Sequence, residues 1–267
     1  MTINKVSSII VLFALLVAGC KGEFEKIRTS GDAGKLYDAA MGYYADEEYQ
    51  RAQTLLELII SSYRGKKEAE EIYYKYAYTF YYLGNYTSAA TYFNNFTQTF
   101  GNSPKRQEAD FMAAYAKYQL SPSFRLDQTN TLEAIRDLQV FINSYPDSER
   151  VPQCNELIER MRKKLEEKAT DEGRLYYNLR RYNSAIQSYE NMLKDFPETE
   201  NAINVRMMIL RSAFQLAENS IYEKRKERLE DAARRATEFL RKYPKSDFTR
   251  EATGIQKEIA QRLNEFQ

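Results

Sequence analysis

The chain's thiols are two cysteines, Cys20 and Cys154, and no histidine stands anywhere in its 267 residues to activate either. A thiol reacts or binds metal as its thiolate, and a neighbouring His is a common activator. Without His, there are no His-based triads, His general bases or His-containing metal sites. Two cysteines make no disulfide framework. Cys154 follows Pro152 near a predicted helix start and reads as a packed, inert thiol. What remains is the chemistry of rings. The sequence holds 22 Tyr and 14 Phe without one Trp, and thirteen of the tyrosines fall between Tyr37 and Tyr92. Tyr offers a broad apolar face and a hydroxyl at low entropic cost, which suits binding.

The elements that must position these rings are helices. From Leu36 onward apolar residues recur at three- and four-residue spacing, with only six Pro in the whole chain. The pattern repeats. Ala52, Ala89, Ala134, Ala185 and Ala232 are each followed four residues later by Leu56, Phe93, Leu138, Tyr189 and Ala236. Seven residues on stand Ile59, Phe96, Phe141, Met192 and Phe239; eleven on stand Tyr63, Phe100, Tyr145, Phe196 and Tyr243. Steps of four, seven and eleven share one helix face. Pro146, Pro197 and Pro244 follow the last three aromatics and end their helices, because Pro lacks the N–H and restricts its predecessor. Ser148, Thr199 and Ser246 then suit the N-caps of the next helices. Gly84-Asn85-Tyr86, Asp46-Glu47-Glu48-Tyr49 and Arg180-Arg181-Tyr182 hold the turn ahead of the alanine. Each unit is helix, turn, helix, aromatic stop.

This organisation resembles the tetratricopeptide repeat, whose period is about 34 residues. The resemblance implies an all-α, right-handed superhelix of about five helix-turn-helix units plus a C-terminal helix. The alanines are spaced by 37, 45, 51 and 47 residues, so extra chain lies between helices. Ser121–Thr129 is a loop inside unit three, Val151–Leu179 is one extended helix, and Ser220–Arg228 lengthens the turn of unit five.

The first twenty residues form an address. Lys5 is the one charge before an apolar run from Ile9 to Ala18, which ends in Val17-Ala18-Gly19-Cys20. The run is too short to read as a spanning helix. Small residues directly before Cys resemble a bacterial lipobox, implying cleavage after residue 19 and lipidation of Cys20. Three acyl chains would hold the protein firmly, since each buried CH₂ contributes roughly 0.8 kcal/mol. Lys21 in place of Asp resembles outer-membrane sorting. The chain beyond residue 19 carries equal numbers of both charge signs, which excludes the field of a nucleic-acid binder.

The insert SPSFRLDQT, leading into TLEAIRDLQVFINSYPDS, and the segment KATDEGRLYYNLRRYNSAIQSYENMLKDFPET are similar to the third and fourth repeats of the BamD family. These are lipoproteins of the outer-membrane β-barrel assembly machine. Leu126 stands where that family often has Phe. The resemblance implies a periplasm-facing adaptor on the outer membrane, with no catalytic site, metal or cofactor. Its implied partners are the POTRA domains of a BamA-type barrel protein, the targeting strands of unfolded outer-membrane proteins, other assembly lipoproteins, and the membrane itself through the anchor. No nucleic acid is implied. The organisation expected is a signal peptide at 1–19, a lipid-anchored tether at 20–34, repeats one to three with the groove at 35–150, and repeats four and five with the final helix at 151–267. A tetratricopeptide envelope lipoprotein that scaffolds peptidoglycan or division proteins is the alternative.

In such solenoids the first helices of the pairs line the concave surface. In register with Ala52, the packing positions are Leu36, Ala39, Ala40 and Tyr43, then Tyr73, Tyr76, Ala77 and Phe80. The positions turned toward the groove are Tyr37, Met41 and Tyr44, then Tyr74, Tyr78, Tyr81 and Tyr82, with Met112 extending the set. Met adapts its shape to varied ligands. The second half is rich in interleaved charges, a pattern that suits solvated faces or the rim of a docking surface. The family resemblance places partner docking there, with Arg174, Arg180 and Arg181 as the residues expected to carry it.

Overall fold

The computed structural model describes residues 22–266; the expected signal peptide and Cys20 lie outside them. Twelve helices and no strand occur among the described residues. They are α1 (Glu23–Arg28), α2 (Ala33–Ala45), α3 (Tyr49–Ile59), α4 (Ala69–Tyr82), α5 (Tyr86–Thr99) and α6 (Arg106–Gln119). Then come α7 (Thr129–Ser144), α8 (Val151–Asn178), α9 (Tyr182–Asp195), α10 (Ala202–Glu218), α11 (Tyr222–Lys242) and α12 (Thr249–Asn264). From α2 to α11 they form five consecutive helix pairs, and α12 closes the last, packing on α11 and α10.

The repeat arithmetic is the core of the fold. All five marker alanines are fully buried, as are all five residues four positions later and all five residues seven positions later. Removing a ring such as Phe96 from such a site costs about 3–5 kcal/mol. The aromatic at the eleventh position donates its backbone N–H to the carbonyl of the seventh-position residue in every unit, at 2.8–3.2 Å. That bond is the last of the helix before the chain turns away.

The turns inside the pairs follow one geometry in units one, two and four. Glu47, Gly84 and Arg180 adopt left-handed φ values of 60°, 75° and 58°. The next residue donates back five positions, Glu48 to Tyr43, Asn85 to Phe80 and Arg181 to Tyr176, at 2.8–2.9 Å. This is a Schellman close, for which Gly is the unstrained choice.

Several expectations need correction. The tether expected at 20–34 is structured from Glu23 onward. Phe24 and Ile27 of α1 pack on the first core, and Asp32 caps α2 by accepting from Gly34 and Lys35 at 3.0 and 3.2 Å. Ser148 and Thr199 are not N-caps. Their hydroxyls accept from the N–H two residues on, at 3.2 and 3.0 Å, and so close the turn ahead of the helix. The turn of unit five is not long: α11 begins at Tyr222, because its charged sequence contains no breaker. Arg228 reaches back to the Ser220 hydroxyl at 2.5 Å.

The chain divides into two compact units, one of residues 22–122 and 129–158, the other of 123–128 and 159–266. The boundary therefore falls inside α8, not at residue 150. The segment 123–128 of the unit-three insert belongs with the second unit. It is pinned there by Lys168, whose ammonium donates to the carbonyls of Phe124 and Leu126 at 3.2 and 3.0 Å. Buried Gln128 donates to Ser123 and Leu126 from inside the turn.

Candidate functional site

The tyrosines of the first compact unit form a connected surface that runs from α2 through α4 to α6. The Tyr82 ring stacks on Tyr49 at 4.3 Å and meets the Tyr44 edge at 6.4 Å. Along α4 the contacts continue from Tyr82 to Tyr78 at 5.7 Å and from Tyr78 to Tyr74 at 4.9 Å. Sideways, Tyr82 touches Tyr81 at 5.7 Å, and Tyr81 reaches Tyr115 of α6 at 6.1 Å. Tyr115 stacks on Tyr118 at 5.7 Å. Residues at i, i+4 and i, i+3 on a helix bring such rings into register. Beneath them lie Phe93 and Phe96, 4.8 Å from Tyr78 and 5.2 Å from Tyr74. Tyr82 is the most open of the set, at 47% exposure.

Charges border the rings. The Lys75 ammonium sits 3.9 Å from the centre of the Tyr44 ring, and Lys105 sits 5.0 Å from that of Tyr74. Both lysines also pair with Glu71. Burial alone would raise the Glu71 pKa, but the hydrogen bond and charge of Lys105, with help from Lys75, hold it below the usual range. Glu108 receives a two-pronged pair from Arg150 at 2.7 and 3.2 Å, and Arg150 lies 4.6 Å over the Phe111 ring. The Tyr78 hydroxyl donates toward Glu108 at 3.4 Å.

The hydroxyls stay protonated. Burial pushes the pKa values of Tyr44, Tyr74 and Tyr78 upward, and that of Tyr81 up to about 12. The surface therefore offers ring faces and neutral donors, bordered by ammonium and guanidinium groups.

Five of the eight expected groove residues are brought together: Tyr44, Tyr74, Tyr78, Tyr81 and Tyr82. Tyr37 lies apart, stacked on Tyr63 at 5.6 Å. Met41 is half-buried against the first core. Met112 is a correction: it is 6% exposed and belongs to the interior, because α6 buries both sides of its apolar stripe. Sequence reasoning missed Tyr49 and Tyr115, and the cations Lys75, Lys105 and Arg150. A stack of Tyr49 on Tyr82 joins residues 33 positions apart, which no local periodicity shows.

In the second unit Arg174, Arg180 and Arg181 are all exposed. Arg174 pairs with Asp171 and lines a cavity of about 550 Å³ with Glu166, Glu198 and Asn201. Arg180 and Arg181 occupy the turn between α8 and α9. Cys154 is fully buried and its thiol is pushed up to about 11 by burial, the state of an inert side chain.

A family profile described as YfiO, outer membrane lipoprotein, matches residues 29–227, well over half the chain. No curated protein sequence matches. Among solved structures the chain is similar to the TPR domain of P58(IPK), with 16% identity and a TM-score of 0.42 over 86% of this chain. It spans only 56% of that structure's length. The TPR2AB domain of yeast Sti1, solved as a complex with pHSP90, gives 15% identity and a TM-score of 0.39, over 85% of this chain and 98% of that one. The RpL4 assembly chaperone Acl4 gives 12% and 0.28, over 88% and 97%.

Proposed function

The chain belongs to the YfiO family of outer membrane lipoproteins, and from that premise we propose that it is an adaptor of the machine that assembles outer-membrane β-barrels. Cys20 carries the lipid anchor, and the repeats face the periplasm. The tyrosine surface of the first unit receives the aromatic-ended targeting strands of unfolded barrel proteins. The second unit docks the POTRA domains of a BamA-type protein, with Arg174, Arg180 and Arg181 at its rim.

The observation that carries the reading is the unbroken run of rings from Tyr49 to Tyr118 across three helix pairs, with Lys75 and Lys105 beside it. Ring faces accept varied apolar side chains with little discrimination, and cations beside them add charge attraction. A receptor for many clients needs both.

The test is affinity purification of the full chain, tagged after Gln267, from gently solubilised envelopes. A barrel protein with POTRA domains is expected as the main stoichiometric partner. Recovery of peptidoglycan-binding or division proteins alone would overturn the proposal in favour of an envelope scaffold.

A further inference from the structure

The second compact unit holds a cavity of about 390 Å³ between α9, α10 and α11. Its charge is one-sided. Lys194, Arg206, Arg234, Arg235 and Lys242 line it against two carboxylates, Glu190 and Glu238. The pairing inside it is also uneven. Arg235 is satisfied by Glu190 at 2.6 Å and Asp231 at 2.7 Å, and Arg234 pairs with Asp231. These two guanidiniums consume the nearest carboxylates. Arg206, Lys194 and Lys242 make no ion pair among the described residues, and Lys242 has only the face of Tyr243 at 5.6 Å.

Arg206 is the sharpest observation. Its Nε is buried and has no hydrogen-bond partner. Two other arginines share that state at Nε, but each is otherwise engaged: Arg262 pairs with Glu218 at 3.2 Å, and Arg225 donates to the Glu218 carbonyl at 3.4 Å. Among the described residues, Arg206 alone of the three makes no hydrogen bond or ion pair to another side chain or carbonyl. A buried donor without an acceptor is costly by about 1–3 kcal/mol, more when charged, and native structures seldom keep one unless a water or ion completes it.

We propose that this cavity is a binding site for a phosphate group borne on an apolar body, with Arg206 as its principal ligand and Lys194 and Lys242 as flanking cations. Three cations without ion pairs, set against the one unpaired carboxylate of Glu238, leave a net positive charge that matches a phosphate better than a single carboxylate. The planar guanidinium fork suits phosphate oxygens in particular. Leu193, Ile209 and Phe239 supply an apolar wall for whatever bears the phosphate. The volume suits one small-molecule group and excludes a docked helix. The phosphate can come from a lipid headgroup or from a soluble phosphate ester, and the experiment separates the two.

The test uses the full chain in non-ionic detergent and reads the phosphorus resonance of each probe directly. The probes are dihexanoyl phosphatidic acid, dihexanoyl phosphatidylcholine and inorganic phosphate. Saturable line broadening is expected with phosphatidic acid, weakened at least tenfold by Arg206→Gln and severalfold by Lys242→Gln, and unchanged by Lys245→Gln outside the cavity. Tighter binding of phosphatidic acid than of inorganic phosphate identifies a headgroup; equal binding identifies a soluble phosphate. Absence of saturable broadening would overturn the proposal. So would equal binding of the zwitterionic lipid, insensitivity to both cavity variants, or displacement of phosphate by a tighter-binding acidic peptide. Should Arg206→Gln fail to fold, the exposed Lys242→Gln carries the test alone.

Discussion

Gly173, near the C-terminal end of α8, lies against the face of Tyr189 so closely that a Cβ on it would stand 2.5 Å from Cε1 of that ring. Tyr189 is the fourth-position residue of unit four and is almost wholly buried. The bare backbone of one helix is therefore the seat of the other helix's largest core residue. Alanine here sets two effects against each other. Helix propensity favours Ala over Gly by about 1 kcal/mol. Overpacking a buried ring costs about 1–3 kcal/mol, and at 2.5 Å the ring or backbone must shift. We expect Gly173→Ala to lower the melting temperature. Gly254→Ala on open α12, where a Cβ meets nothing, is expected to raise it. Calorimetric melts of both variants decide; a stabilised Gly173→Ala would refute the contact.

The three Schellman turns predict a second pair of opposite signs. Gly84 holds φ +75° with open space around it, so only backbone strain opposes a side chain there. Gly84→Ala should destabilise by about 1 kcal/mol, the usual penalty for a left-handed L-residue. Arg180 already bears that strain at φ 58°. Arg180→Gly should leave stability equal or higher, and urea unfolding curves would register the difference in midpoint.

Tyr82 separates binding from folding. It is half exposed, so its truncation removes ring contacts with Tyr49, Tyr44, Tyr78 and Tyr81 at the surface, each worth about 0.5–1.5 kcal/mol at most. Phe93, fully buried beneath Tyr78, is a folding residue whose removal costs about 3–5 kcal/mol. Tyr82→Ala is expected to weaken a peptide ending in an aromatic residue at least fivefold while the protein stays folded. Fluorescence anisotropy with such a peptide, beside a circular-dichroism melt, reads both quantities; unchanged affinity would remove Tyr82 from the site.

Alkali should unfold this protein through its rings. The buried Tyr76 and the half-buried Tyr44, Tyr78 and Tyr81 have folded pKa values raised above their ordinary 10.0, chiefly by desolvation. Above that value the unfolded chain loses phenolic protons that the folded chain keeps. The unfolded state then binds fewer protons, and stability falls as pH rises. Stability should be level below about pH 9 and drop above about pH 10, where unfolded Tyr ionises. Tyr78→Phe should make that drop shallower. Urea titrations between pH 8 and 11 test the slope, and phenolate absorbance tests the cause.

What the sequence discloses is local in origin. The five alanines and the residues four and seven positions on mark the buried faces without exception, because a 3.6-residue period ties sequence spacing directly to one helix face. Three of the intra-pair turns were equally legible from Gly84 and its counterparts. What escaped depends on distance along the chain. Met112 follows Phe111 on a helix packed on two sides, so the rule that puts alternate residues outward does not apply to it. The cations over the rings escaped for a related reason. Lys75 reaches Tyr44, and Lys105 reaches Tyr74, across separate helices, and only the packing of the pairs sets those distances. The length of α11 was misread because a run of charges looks like a loop until its lack of breakers is weighed.

The ammonium groups beside Tyr44 and Tyr74 bear on how this chain behaves as a colloid. A cluster of ring faces on a protein surface is adhesive, and large bare ones drive self-association. Here each lysine keeps a hydrated charge within a few ångströms of a ring and is itself tied to Glu71. Hydrated charge at that distance keeps the neighbouring ring faces partly wetted. Under the proposed function, an incoming aromatic side chain would have only to swing a flexible lysine aside. On the proposed function, sticking is thereby made conditional on a visitor, and a crowded population of these molecules would share one compartment without clotting.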